Sequence, residues 1–188
     1  MTHFRSLAIA PLCAAIAACQ SPEQMPGDEA QEETTAVEVI GTAALASADG
    51  EAAGNAELLA EDDEVSISVI LSGMSAGTHG VHLHTTGACE PPDFASAGAH
   101  LNPGMNEHGT ENPDGAHLGD LPNAVIADDG IGTVSAILRG TRDEVAAALF
   151  DEDGSAIVVH ESADDYMTDP SGNAGARLAC GVIEAPSG

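Results

Sequence analysis

The chain has 188 residues and a lopsided charge, 4 Lys+Arg against 31 Asp+Glu, for a formal net charge of −27. All four bases are arginines (Arg5, Arg139, Arg142, Arg177), and with no lysine to help neutralise phosphates the surface excludes nucleic-acid binding. Trp is absent and Tyr166 is the single Tyr, so a core must be built from Val, Ile, Leu and Ala, which suits the packed faces of a β-sandwich or barrel.

Residues 1–18 read as a targeting segment. His3 and Arg5 give a weakly basic start, and Leu7 to Ala18 is an uncharged apolar run too short to span a bilayer. The run ends in Ile16-Ala17-Ala18-Cys19, which resembles the lipobox of bacterial lipoproteins. That resemblance implies removal of residues 1–18 and lipidation of Cys19, placing the protein on the periplasmic side of a bacterial envelope, held to a membrane by its lipid. Gln20 after the cysteine favours the outer membrane. Ordinary secretory cleavage, with Cys19 incidental, is the alternative. Removal of the segment takes away Arg5 and no acid, so −27 becomes −28. Residues 19–35 are rich in Pro, Glu and Gln and read as a flexible acidic tether.

The domain is expected over residues 36–185. Strand-like runs fall at Ala36–Ala46, Glu57–Leu59, Val65–Leu71, Gly80–His84, Ala124–Ala127, Gly132–Leu138, Ala156–His160 and Ala179–Ile183. Val65 to Val69 alternates strictly, the period of a sheet with one buried face. Asp49-Gly50, Asp129-Gly130 and Asp153-Gly154 supply turns between runs. About eight short strands so separated predict an antiparallel sandwich or barrel. Arg142–Phe150 has mild helical character. Two long stretches lack strand character, Thr85–Asn123 and Glu161–Arg177, and long irregular loops in a compact domain are commonly functional.

Cys13 leaves with the targeting segment and Cys19 is taken by lipid. Cys89 and Cys180 remain, and in an exported domain they read as one disulfide.

Of eight histidines, seven lie beyond the targeting segment. His82 and His84 are two apart on a predicted strand, so both rings project to one face and can grip one metal, while Leu83 points to the core. His100, His108 and His117 follow in the first long loop, with Asp120 three after His117; three imidazoles and a carboxylate suit tetrahedral zinc. His160 ends the run Ile157-Val158-Val159. A set made only of imidazoles, without thiolate, suits Cu(II) as well as zinc. His79 is out of register with His82 and poorly placed to join the set.

Gly80-Val81-His82-Leu83-His84, Gly119-Asp120-Leu121 and Val159-His160-Glu161 together resemble the copper–zinc superoxide dismutase family. So does the long run from Gly172 through Asn173, Ala174, Gly175, Ala176 and Arg177 to Leu178-Ala179-Cys180-Gly181. The resemblance spans about Val37 to Ile183. It implies an eight-stranded antiparallel Greek-key barrel, a sandwich of immunoglobulin-like build, with two long functional loops. It also implies copper held by His82, His84, His100 and His160, and zinc held by His100, His108, His117 and Asp120, with His100 shared. Asp164 matches a carboxylate that hydrogen-bonds one ligand of each metal, here His82 and His108. Arg177 matches the arginine that receives the anion beside copper, Cys89–Cys180 the family's disulfide, and His79 a structural histidine. The implied activity is two-step dismutation of superoxide to O2 and hydrogen peroxide, with the His100 imidazole as proton shuttle and the cell envelope as the compartment protected.

The spacing from Cys89 to His100 and the lysine-free segment from His160 to Arg177, with its Asp164-Asp165-Tyr166, look bacterial. That segment lacks the charges thought to guide superoxide in the animal and plant branch, so slower turnover is expected. A copper- or zinc-storing module without turnover is the main rival; all seven ligand positions and Arg177 are present and favour the enzyme. Oligomeric state is left open between monomer and homodimer.

Overall fold

In the computed structural model, residues 36–187 are described; residues 1–35, and with them the targeting segment, Cys19 and the whole of the tether, lie outside them. Among the described residues nine strands form (β1 Glu38–Ser47, β2 Ala52–Glu61, β3 Glu64–Leu71, β4 Gly77–His79, β5 Val81–His84, β6 Ala124–Ile126, β7 Gly132–Ile137, β8 Ala156–His160, β9 Arg177–Val182), with one α-helix, α1 (Arg142–Leu149). A seven-stranded antiparallel sheet runs β5-β8-β9-β1-β2-β3-β7, and β4 pairs with β6 in a second. Strand β4 runs on into β5 across Gly80, while β6 turns into β7 through Gly130, where Ala127 N–H donates to the Ile131 carbonyl at 3.0 Å. The two sheets are thus joined at both ends. Counted with β4 and β5 as one strand that changes partners at Gly80, the barrel has eight.

Alternation produces this arrangement residue by residue. On β3, Val65, Ile67, Val69 and Leu71 are buried while Glu64 and Ile70 face out and Ser66 and Ser68 are half-buried. Their inward faces meet Leu45, Leu58, Leu83, Ile157 and Val159 in the main core. Strand β2 is far longer than the expected Glu57–Leu59. Ala-rich residues 52–56 have weak strand propensity, and pairing along β1 and β3 overrides it. Strand β4 was not anticipated from the sequence, because Gly77-Thr78-His79 has no apolar side chain to set a period. The weak helical signal at 142–150 does form a helix, secured by a reciprocal cap: the Thr141 hydroxyl accepts from Glu144 N–H, and the Glu144 carboxylate accepts from Thr141 N–H.

Cys89 and Cys180 form the disulfide, with Cα atoms 5.6 Å apart. It ties the first long loop to β9, a closure that stabilises by roughly 4 kcal/mol in the chain-entropy model. Beneath it a small apolar cluster of Phe94, Ala97, Ala156, Val158 and Cys180 pins the 94–98 segment to the sheet.

Candidate metal centre

The site begins on β5. His82 and His84 share a face, and Leu83 between them enters the main core. The first loop doubles back along this strand: Leu83 N–H donates to the Gly119 carbonyl at 2.9 Å and Leu101 N–H to the Leu83 carbonyl at 2.8 Å. This lays Asp120 opposite His82 and His100 opposite His84. On β8 the pairing with β9 slips between Val159 and His160, and an irregularity of this kind re-aims a side chain. His160 thereby joins the other rings.

Two donor sets result. Ring nitrogens of His82, His84, His100 and His160 converge in one, and His100, His108, His117 and Asp120 in the other, with each set's ligand atoms within 4.8 Å of one another. In the second set Asp120 Oδ1 lies 3.1 Å from His100 Nδ1, 3.0 Å from His108 Nδ1 and 3.2 Å from His117 Nδ1, and the Nδ1 atoms of His100 and His117 are 3.4 Å apart. A tetrahedron with zinc–ligand bonds of 2.0–2.1 Å has edges of about 3.3–3.4 Å. The other carboxylate oxygen, Oδ2, accepts from Gly109 and His117 N–H at 2.9 and 3.0 Å, which turns Oδ1 to the cluster.

Among the described residues, the buried side-chain nitrogens and oxygens without a hydrogen-bond partner are five ring atoms: His82 Nδ1, His84 Nε2, His100 Nε2, His108 Nδ1 and His160 Nε2. Leaving a buried polar atom unmade costs about 1–3 kcal/mol, so five in one place mark a site built for a metal. The opposite nitrogens are all engaged. His84 Nδ1 meets the Gly98 carbonyl at 3.0 Å, His160 Nδ1 the Gly175 carbonyl at 3.3 Å, and His82 Nε2 Asp164 Oδ2 at 2.8 Å. These partners place the protons on the far side and leave His82 Nδ1 and the other Nε2 atoms as free lone pairs. Asp164 Oδ1 reaches His108 Nε2 at 3.0 Å, so this one carboxylate links a ring from each set. Gly172, in the left-handed region, lies against this link, where a Cβ would come within 1.8 Å of Asp164 Oδ1. His79 stands apart: its Nδ1 is 2.8 Å from the His160 carbonyl and its Nε2 3.1 Å from that of Ser75.

The copper/zinc superoxide dismutase family model matches residues 52–183. The chain belongs to this family. A copper/zinc superoxide dismutase of Caulobacter vibrioides is 42% identical over 149 residues, covering 76% of this chain and 84% of its own. A superoxide dismutase-like protein of Bacillus subtilis is 41% identical over 145 residues, 74% and 73% of the two chains. The crystal structure of a superoxide dismutase-like protein from Bacillus subtilis, 38% identical, superposes with a TM-score of 0.67 over 78% of this chain and 99% of that one. Membership brings the oxidoreductase class and the copper–zinc pair, and the two donor sets fit both ions.

In this family member the all-imidazole set opens to solvent through a cavity of about 360 Å³ lined by His84, His100, His160, Ser171 and Arg177, among others. The Arg177 guanidinium is held by two carbonyls, Phe94 at 2.5 Å and Gly98 at 2.6 Å. Gly98 therefore holds both Arg177 and His84. Phe94, Gly98 and Asn123 carry no motif of their own; Phe94 and Gly98 act through main-chain carbonyls, which leave no side-chain signature in a sequence.

Burial lowers the imidazoles of His84, His160 and His100 to about 2, 3 and 4, so all are neutral at neutral pH, as metal ligation requires. Burial also acts against a charged His108, but the carboxylates of Asp120 and Asp164 outweigh it and raise His108 to about 9. Burial would raise Asp120 and Asp164, yet hydrogen bonds from the rings and from main-chain N–H groups hold both well below the usual carboxylate range. The three lowered histidines bind protons in the unfolded chain first, so stability is full above their unfolded value of about 6.5 and falls as pH drops through 4. His108 opposes this, its stabilisation being present below 6.5 and fading as pH rises through 9. Three rings against one decide the sign: the metal-free protein should lose stability between pH 6.5 and 4, His100 alone accounting for on the order of 3 kcal/mol. Urea midpoints across this range check the trend, and a flat profile would contradict it.

Proposed function

We propose that this chain dismutates superoxide at a copper held by His82, His84, His100 and His160, beside a zinc held by His100, His108, His117 and Asp120, in the envelope compartment to which Cys19 anchors it. One observation carries the reading: four partnerless ring nitrogens converge, three of their rings (His84, His100 and His160) line a cavity together with Arg177, and one of those rings, His100, also reaches the second set. Copper, when bound there, supplies the one-electron couple that the reaction needs.

The chain's own part follows from its geometry. Arg177, fixed by the Phe94 and Gly98 carbonyls, presents its fork to an incoming anion within reach of the copper ligands. His100 has one nitrogen in each set, so its Nε2 is the atom able to hold a proton and hand it to a reduced product while Nδ1 stays with Asp120 and His117. His82, His84 and His160 are oriented by Asp164, Gly98 and Gly175, which keeps their lone pairs aimed without rearrangement.

The test measures metal content and stopped-flow superoxide decay on the full chain and on His160→Ala. The wild type should hold both metals and consume superoxide, and the variant should lose copper affinity by about 10–100-fold or more and consumption with it, keeping zinc. A wild type that holds both metals and leaves superoxide untouched would instead support the metal-storing module. Lipid attachment predicts palmitate labelling that Cys19→Ser abolishes.

A further inference from the structure

Tyr166 is the chain's single tyrosine, it follows the acid pair Asp164-Asp165, and the copper and zinc ligand sets do not include it. Its backbone lies in the left-handed region at φ 62°, a conformation that costs a non-glycine residue of order 1–3 kcal/mol and persists only where the surroundings require it. The surroundings are specific. Tyr166 N–H donates to Asp164 Oδ1 at 2.7 Å, the same oxygen that meets His108 Nε2 at 3.0 Å. Its phenol oxygen accepts from Asn123 N–H at 2.8 Å. The Asn123 side chain in turn brackets Asp164: its amide donates to the Asp164 carbonyl at 2.9 Å and its oxygen accepts from Asp164 N–H at 2.8 Å. The Tyr166 carbonyl accepts from Glu111 N–H at 3.1 Å, and a Cβ on Gly109 would stand 2.0 Å from that carbonyl oxygen. One residue thus joins the second long loop, the zinc-side loop beside His108, and the segment that follows Asp120.

We propose that Tyr166, with Asn123 as its partner, is a positioning residue that fixes the zinc-side oxygen of Asp164 and couples closure of the 161–177 loop to retention of zinc. The selectivity follows from which oxygen is held. Oδ1, held by the Tyr166 N–H, serves His108 of the zinc set, while Oδ2 serves His82 of the copper set; the phenol, seated on Asn123 N–H, keeps that N–H in place, so its loss should loosen zinc before copper. The inference rests on the zinc assignment made above.

The experiment loads the full chain with copper and zinc and follows release of each to a chelator, for wild type, Tyr166→Phe, Asn123→Ala and the double variant. Cobalt in place of zinc adds a visible spectrum that reports ligand geometry. Tyr166→Phe should release zinc about tenfold faster, alter the cobalt bands and change copper release by less than about twofold. The double variant should be no worse than the worse single one, as residues acting as a unit require. Zinc release and cobalt bands like those of the wild type would overturn the proposal, and so would equal loosening of both metals. If Tyr166→Phe fails to fold, the wild type decides: with no Trp present, its tyrosine emission comes from Tyr166 alone, and emission unchanged on zinc removal overturns the coupling. A wild type that binds no zinc fails at the earlier step, the zinc assignment itself, and is told apart by metal content.

Discussion

Replacing Asp164 by Asn should lower copper affinity by about 10–100-fold while harming zinc less. The carboxylate is fully buried and accepts on both oxygens, from His82 Nε2 at 2.8 Å on Oδ2 and from His108 Nε2 at 3.0 Å on Oδ1. An amide has one acceptor and one donor end. Oδ1 also takes Tyr166 N–H at 2.7 Å, so the amide oxygen settles where two donors meet and the NH2 turns to His82. There it opposes the Nε2 proton, and the tautomer it favours carries the proton on Nδ1, the atom His82 aims into the copper set. Chelator competition for each metal, with copper EPR of the loaded variant, measures the effect. A variant with wild-type copper affinity would show that His82 is oriented by something other than Asp164. The outcome is the mirror image of that expected for Tyr166→Phe, so the two variants together separate the two oxygens of one carboxylate.

Superoxide consumption should rise or stay level as salt is added, from a rate about tenfold to a hundredfold below the diffusional ceiling. At −27 the protein repels an anion at long range, and salt screens that repulsion beyond about 10 Å at 0.1 M. Attraction has to come from the bound metals and from arginines, and the described residues place only Arg177 on the copper cavity. Arg142 is paired with Glu38, and Arg139 lines a separate cleft with Leu118 and Glu144. No acid lines the copper cavity either, so Arg177 acts at short range where screening is weak. Stopped-flow decay against ionic strength decides the matter. A steep fall in rate with salt would mean that long-range attraction survives, and would refute this account.

The residues that the fold gathers into two donor sets were legible in the sequence because metal chemistry needs particular side chains. His82, His84, His100, His108, His117, Asp120 and His160 offer imidazole and carboxylate atoms at telling spacings, and Gly119-Asp120 and Gly172 to Gly181 mark their surroundings. The buried strand face of β3 was legible for a similar reason, since Val65, Ile67 and Val69 alternate with serines. Strand β4 and the full length of β2 were not, because Gly, Thr and Ala have no periodic burial of their own and become strand through their partners in the sheet.

Chemistry and fold class were thus readable from composition and motifs: an acidic β-domain with one disulfide and seven side chains that converge in two donor sets. The tertiary structure alone decided which nitrogen each ring presents, that Gly98 holds both His84 and Arg177, and that Tyr166 and Asn123 brace Asp164. The physical reason is that these contacts use main-chain carbonyls and N–H groups, identical in every residue. Their partners are chosen by where the loops cross, and a sequence records that only through the glycines, such as Gly109 and Gly172, that let the chain pass so close.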